Sequence, residues 1–179
     1  LGVEGVALRL QNVYGVGQSV RNPYTGILSI FAVRLLDGAS VSIFEDGRES
    51  RDFVHVDDVV EAFVRAGEAT LPGPVFVADC GSGRPTPVLE AARLLAAACG
   101  VGEDCVTVTG EYRVGDIRHA FCDPSLLREA LGVTPTVSLE AGIRALVAWV
   151  RGTERPPSRL DAALDEMRAA GLFGRARSG

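Results

Sequence analysis

The 179 residues predict an α/β protein. Short apolar runs of strand length alternate with amphipathic stretches of helical period. Most of the helical stretches open on a Ser, Thr or Asp in capping position, and Gly, Pro and Asn punctuate the joints. Hydrophobic residues make up 47% of the chain and charged residues 23%, enough apolar material to bury a core. The strand candidates are too few to close a doubly wound sheet alone.

Taken in order, "VEGVALRLQNVYG" reads as a buried strand over Gly5 to Leu10 that runs into a loop holding Asn12, Tyr14 and Gly15. "NPYTG" is a turn. "ILSIFAVRLLDG" sets Ile27, Ile30, Phe31, Arg34 and Leu35 at helical spacing, with Gly38 suited to the C-terminal end. "VSIFEDG" is a short strand closed by Asp-Gly, and "RDFVHV" a second extended piece. Asp57 is placed to N-cap "DVVEAFVRAGEA", whose apolar face is expected to be Val59, Val60, Phe63 and Val64.

After "LPGP" comes the strand "VFVAD" and then "CGSGRPTP", in which Thr86 reads as N-cap and Pro87 as first residue of a helix ending at Gly100. "CVTVT" is a strand candidate. Asp123 and Pro124 repeat the cap pattern before "SLLREALG", and Ser138 starts another amphipathic helix. "RGTERPPSR" is a linker before a terminal helix, "LDAALDEMRAAGLF". Because Leu1 replaces Met two residues before a strand-like run, a segment of a longer protein is expected.

The net charge is −5, and all 18 basic residues are arginine. That balance argues against a nucleic-acid or membrane-surface role. No apolar run approaches the ~20 residues of a membrane span. Cys80, Cys99, Cys105 and Cys122 form no CxxC pair and match no zinc spacing, so no metal site and the reduced thiols of a cytoplasmic protein are expected.

The segment "ESRDFVHVDD" looks at first like an acid/base cluster of Asp52, His55 and Asp57. Flanking valines favour an ordinary core role for His55, and no Ser/His/Asp spacing recommends itself. "DCGSGRPTP" has GxG without a third glycine and reads as a tight strand-to-helix turn, not a dinucleotide loop. Asn12, just beyond a buried strand, suits either a turn or a ligand contact. Arg51 and Arg113 each suit solvent singly, but reaching one site together they would clamp a diphosphate.

Five segments together resemble a known family: "LRLQNVYGVGQ", "NPYTGILSIFAVRLLDG", "VSIFEDGRESRDFVHVDDVVEA", "VADCGSGRPTPVLE" and "YRVGDIRHAFCDPSLLREALGVTPTVSLEAGI". They look like the C-terminal half of extended short-chain dehydrogenase/reductases, the NAD-dependent sugar-nucleotide epimerases and dehydratases. The resemblance runs from about Val3 to Trp149 and leans to the branch acting on dTDP- or UDP-linked sugars, such as rhamnose or glucose 4-epimerases. It implies late sheet strands of a Rossmann-type enzyme plus a small mixed α/β substrate domain. Asn12 would contact the sugar-nucleotide diphosphate, and Gln11 would lie near the nicotinamide. Thr25, Gly26 and Ile27 would line the substrate cleft. Ser42, Ile43 and Phe44 would meet the base. Arg51 and Arg113 would hold the diphosphate, with Asp116 near the ribose.

The family's GxxGxxG and catalytic YxxxK motifs are absent from this sequence, which contains no lysine. The resemblance therefore implies no catalytic residue here and a 179-residue segment inactive alone. NAD is implied for the intact enzyme, with most of its site outside this chain. The implied partners are a nucleotide sugar, the missing N-terminal Rossmann half and, as an open alternative, a second copy in a homodimer. The implied organisation is 1–24 as a late Rossmann strand and substrate loop, and 25–151 as mainly the sugar-nucleotide domain, with 75–79 returning to the Rossmann sheet. Residues 152–179 form a linker and helix. A non-catalytic sugar-nucleotide-binding or partner-binding module is the competing expectation.

Overall fold

The computed structural model describes residues 4–22, 26–70, 73–155 and 160–175. Strands β1 (Gly5–Leu10) and β5 (Val75–Cys80) run parallel in register from Gly5↔Val75 to Leu10↔Cys80. This two-stranded sheet stands apart from a second one built on β4 (Ser50–His55). The N-terminal half of β4 pairs with β6 (Pro85–Pro87) and β9 (His119–Ala120), and its C-terminal half with β2 (Asn12–Tyr14). The expected loop at Asn12 is thus a short strand, because Asn12 to Tyr14 can satisfy their backbone groups against Phe53 to His55. β3 (Val41–Ile43) pairs with β7 (Val106–Val108), and β8 (Glu111–Arg113) with β10 (Phe173–Arg175). The α/β class holds.

Side-chain alternation along β4 joins two cores. Phe53 enters a core made by α1 (Ile27–Leu36), α3 (Val88–Cys99) and α5 (Leu139–Arg151), together with Tyr14 and β3. Val54, pointing the other way, enters a core of Val59, Phe76, Ala78, Leu127 and Val133. The helix α5 starts as expected, with Ser138 Oγ accepting from the Ala141 N–H at 3.2 Å. Its Gly142 lies against the buried Tyr14 ring, where a Cβ would overlap the phenol. Gly142→Ala should therefore lower stability by about 1–2 kcal/mol, even though alanine favours the helix by up to ~1 kcal/mol. Thermal unfolding monitored by circular dichroism measures the difference.

Three expectations are corrected. The helix α2 (Val56–Glu68) is capped by His55, not Asp57, and His55 Nδ1 accepts from the Asp57 N–H at 3.3 Å. β4 runs into α2 without a loop, so the last strand residue takes the cap position while Asp57 already lies in the first turn. Val60 and Phe63, expected in the core, are 54% and 56% exposed, as is about half of Val64. The packed side of α2 is Asp58, Val59 and Ala62, where the Asp58 carboxylate accepts from the Thr136 and Val137 N–H groups. Third, Thr86 lies in β6 opposite Arg51 and α3 begins at Val88, because pairing with β4 holds 85–87 extended.

The helix α4 (Ser125–Leu131) also starts one residue late, though Asp123 still accepts from the Ser125 N–H and hydroxyl. The terminal helix α6 (Leu160–Ala169) is followed by β10, which periodicity did not suggest. No helix among the described residues is long and apolar enough to cross a membrane.

Candidate functional site

A cavity of about 430 Å³ opens between β4, the first turns of α1, β3, the start of α3, the turn after β8, and α6. That volume falls within the range of small-molecule sites. Asn12, Gly26, Ile27, Ser42, Ile43, Phe44, Arg51, Arg113 and Asp116 all line it. These residues are scattered over a hundred positions of sequence, and the fold brings them to one place. Thr25 lies outside the described residues. Gln11 does not line the cavity; it sits half-buried beside Gly81, with its N–H donating to the Cys80 carbonyl.

Asp116 organises the cations. Its Oδ1 accepts from Arg51 Nη2 at 3.3 Å, and its Oδ2 from Arg113 Nη2 at 2.8 Å. Arg51 is fixed further by donating to the Ser50 and Arg118 carbonyls at 2.9 and 3.1 Å. The Arg113 guanidinium lies 5.7 Å over the Phe44 ring, which in turn packs edge-on to Phe173. Two guanidiniums thus share one carboxylate at the cavity wall, oriented by fixed backbone acceptors and an aromatic face. In β3, Val41 and Ile43 are buried while Ser42 alternates outward to the cavity.

Two groups of lining residues escaped the sequence reading. Glu49 belongs to the same extended run as Arg51, and the two-residue period places positions 49, 51 and 53 on one face. Leu160, Asp161, Ala163, Leu164 and Met167 come from α6. Their spacing announces an apolar stripe but not its target. The α6–β10 segment is tied down by Arg34 to Asp161, 2.9 Å, and Arg168 to Glu111, 2.9 Å.

Beside the cavity, Asp52 is wholly buried. Its carboxylate accepts from the Ser82 N–H and hydroxyl, at 2.7 and 2.6 Å, and from the Gly83 N–H at 2.9 Å. The suspected acid of "ESRDFVHVDD" is therefore a tie for the 81–83 turn. Burial first, and then the Asp52 carboxylate, push the Cys122 thiol up to about 12, and burial raises Cys80 and Cys99. Each shift works against the thiolate form at neutral pH. No cluster able to hold a metal ion occurs among the described residues.

Residues 1–78 match the NAD dependent epimerase/dehydratase family. The chain is 46% identical over 143 residues to a dTDP-L-rhamnose 4-epimerase of Burkholderia thailandensis, covering 80% of this chain and 39% of that protein. Its fold is similar to the UDP-glucose 4-epimerase of Thermotoga maritima solved with UDP-glucose, at TM-score 0.72 and 38% identity, covering 82% of this chain and 46% of the other. The Thermus thermophilus UDP-glucose 4-epimerase solved with NAD gives TM-score 0.72 and 31% identity, covering 86% and 48%. The chain spans about two fifths to one half of the length of these relatives. Sequence and fold together support placing it in the NAD-dependent epimerase/dehydratase superfamily.

Proposed function

We propose that this chain is the substrate-binding part of an NAD-dependent nucleotide-sugar epimerase or dehydratase, and that its cavity holds a dTDP- or UDP-linked sugar by the diphosphate. The observation that carries this reading is the convergence of Arg51 and Arg113 on Asp116 beside Asn12, Ser42 and Phe44. A diphosphate exchanging with Asp116 for the guanidinium donors would gain charge-assisted bonds of about 1.5–3 kcal/mol each. Phe44 and Ile43 offer the base an apolar wall, with Ser42 as polar contact. Holding the remote nucleotide fixes the sugar carbon at which hydride and proton transfer would occur.

The 81–83 turn does not fit the pyrophosphate of NAD. The turn between β5 and β6 has its Ser82 and Gly83 N–H groups bonded to Asp52, and a Cβ at Gly81 would collide with Asp52, Cys122 and Gln11. That turn has no free amide nest for a pyrophosphate. No hydride step is therefore assigned to this chain, and NAD would be held largely by a Rossmann half outside it, with Gln11 at its margin. The second edge of β1 is unpaired among the described residues, and Val60, Phe63, Val64, Val75 and Val77 are exposed nearby on α2 and β5. Parallel strands are normally covered on both faces, so this surface suits docking of that half.

Titration calorimetry with UDP and with dTDP tests the reading. Saturable binding of at least one is expected, together with no turnover of UDP-glucose by the 179 residues alone. Binding of neither nucleotide overturns the proposal. Turnover by the isolated chain overturns the division of labour.

A further inference from the structure

We infer that Glu49 determines specificity in this cavity, its carboxylate accepting a hydrogen bond from a hydroxyl of the sugar nucleotide proposed above. Glu49 is only 7% exposed, lines the cavity, and its Oε2 is buried without a hydrogen-bond partner among the described residues. Buried polar atoms in folded proteins are nearly always bonded, so an orphaned acceptor in a ligand cavity calls for a donor.

The surrounding charges do not supply one. Arg51 and Arg113 line the same cavity but both turn to Asp116. Arg118, which lies outside the cavity and whose charge reaches Glu49, is engaged with Glu45 and Asp46. Arg34 of α1 is paired with Asp161 of α6. The contact from α3 is Val88, whose N–H donates to the Glu49 carbonyl at 2.8 Å and fixes the backbone from which the side chain projects. A sugar nucleotide complements this arrangement. Its phosphates present only acceptors, to which the arginines donate, whereas its hydroxyls are donors that need an acceptor such as Glu49.

The pH dependence of binding distinguishes this role from its reverse. Burial, followed by the neighbouring Glu45 and Asp46 carboxylates, raises the Glu49 pKa, against its own backbone N–H and Arg118. A hydroxyl donor favours the ionised carboxylate, so affinity is full above that pKa and falls as pH drops through it. A neutral Glu49 donating to phosphate would give the opposite slope. UDP-glucose is the suitable probe because its diphosphate is esterified at both ends and lacks the terminal phosphate group that titrates near pH 6.

The experiment is calorimetry of the full chain with UDP-glucose from about pH 5 to about pH 8. The proteins compared are wild type, Glu49→Gln, Glu49→Ala, Arg51→Ala and His119→Gln. His119 is included because it bonds Ser50, the residue next to Glu49, at 2.9 Å. Expected are a wild-type affinity that weakens toward acid, a flattened profile in Glu49→Gln, and a loss of about tenfold or more at neutral pH in Glu49→Ala. His119→Gln should keep the wild-type slope. A wild-type affinity that strengthens toward acid overturns the assignment. So does unchanged affinity in Glu49→Ala while Arg51→Ala weakens binding, a result that leaves the proposed function standing. Absence of any wild-type binding overturns both.

Discussion

Asp52→Ala is expected to lower the unfolding free energy by about 3–5 kcal/mol, the largest stability effect of any single change considered for this chain. The carboxylate is wholly buried and accepts from two backbone N–H groups and one hydroxyl at 2.6–2.9 Å, with the Cys122 N–H adding a longer contact at 3.4 Å. Alanine removes the acceptor and leaves the part-buried Ser82 and Gly83 N–H groups without it, at about 1–3 kcal/mol each. Asp52→Asn keeps one acceptor oxygen but points an amide at donors, so an intermediate loss is expected. Urea unfolding measures both through the midpoint at constant slope. The Cys122 thiol offers a second readout. Part of its elevation comes from Asp52, so removing that charge lowers its pKa and quickens alkylation. A stability change below about 1 kcal/mol would show that the carboxylate does not anchor the turn.

For ligand binding, the largest effect belongs to Arg51→Ala, expected to weaken UDP or dTDP by about 10–150-fold, equivalent to about 1.5–3 kcal/mol. Arg51 is held by the Ser50 and Arg118 carbonyls and by Asp116, so its fork is oriented before any ligand arrives. Lysine keeps the charge but cannot reach three acceptors from one planar group, and Arg51→Lys should recover only part of the loss. Removing Arg51 also leaves Asp116 wholly to Arg113. The effects of Arg51→Ala and Arg113→Ala should therefore be non-additive in a double-mutant cycle, by about 0.5–3 kcal/mol. Affinity within twofold of wild type for Arg51→Ala would remove the clamp from the proposed function.

The exposed valines and Phe63 of α2 show where pattern reading stops. Periodicity correctly marked α2 as amphipathic, yet of the stripe it picked out Val59 is buried while Val60, Phe63 and Val64 face outward. A hydrophobic period shows that some face seeks cover, and the cover itself belongs to whatever packs there. On the opposite side, the Thr136–Val137 backbone occupies Asp58, a contact across nearly eighty residues that no local window contains.

What the sequence determined by itself were the local events: β1 over Gly5 to Leu10, the helix from Ile27, the Ser138 cap and the tight turn at "CGSGRPTP". Each depends on backbone propensities and hydrogen bonds within a few residues. The resemblance also assigned Arg51 and Arg113 to the diphosphate and Asp116 to the neighbourhood of the ribose. Only the tertiary structure decided that Asp116 bridges the two arginines, that Glu49 Oε2 is buried in the same cavity without a partner among the described residues, and that α6 walls the cavity. It also moved the α2 cap from Asp57 to His55. These outcomes depend on where separate elements meet, and the strength of a charge or an orphaned acceptor is set by its neighbours in space, not by its neighbours in the chain.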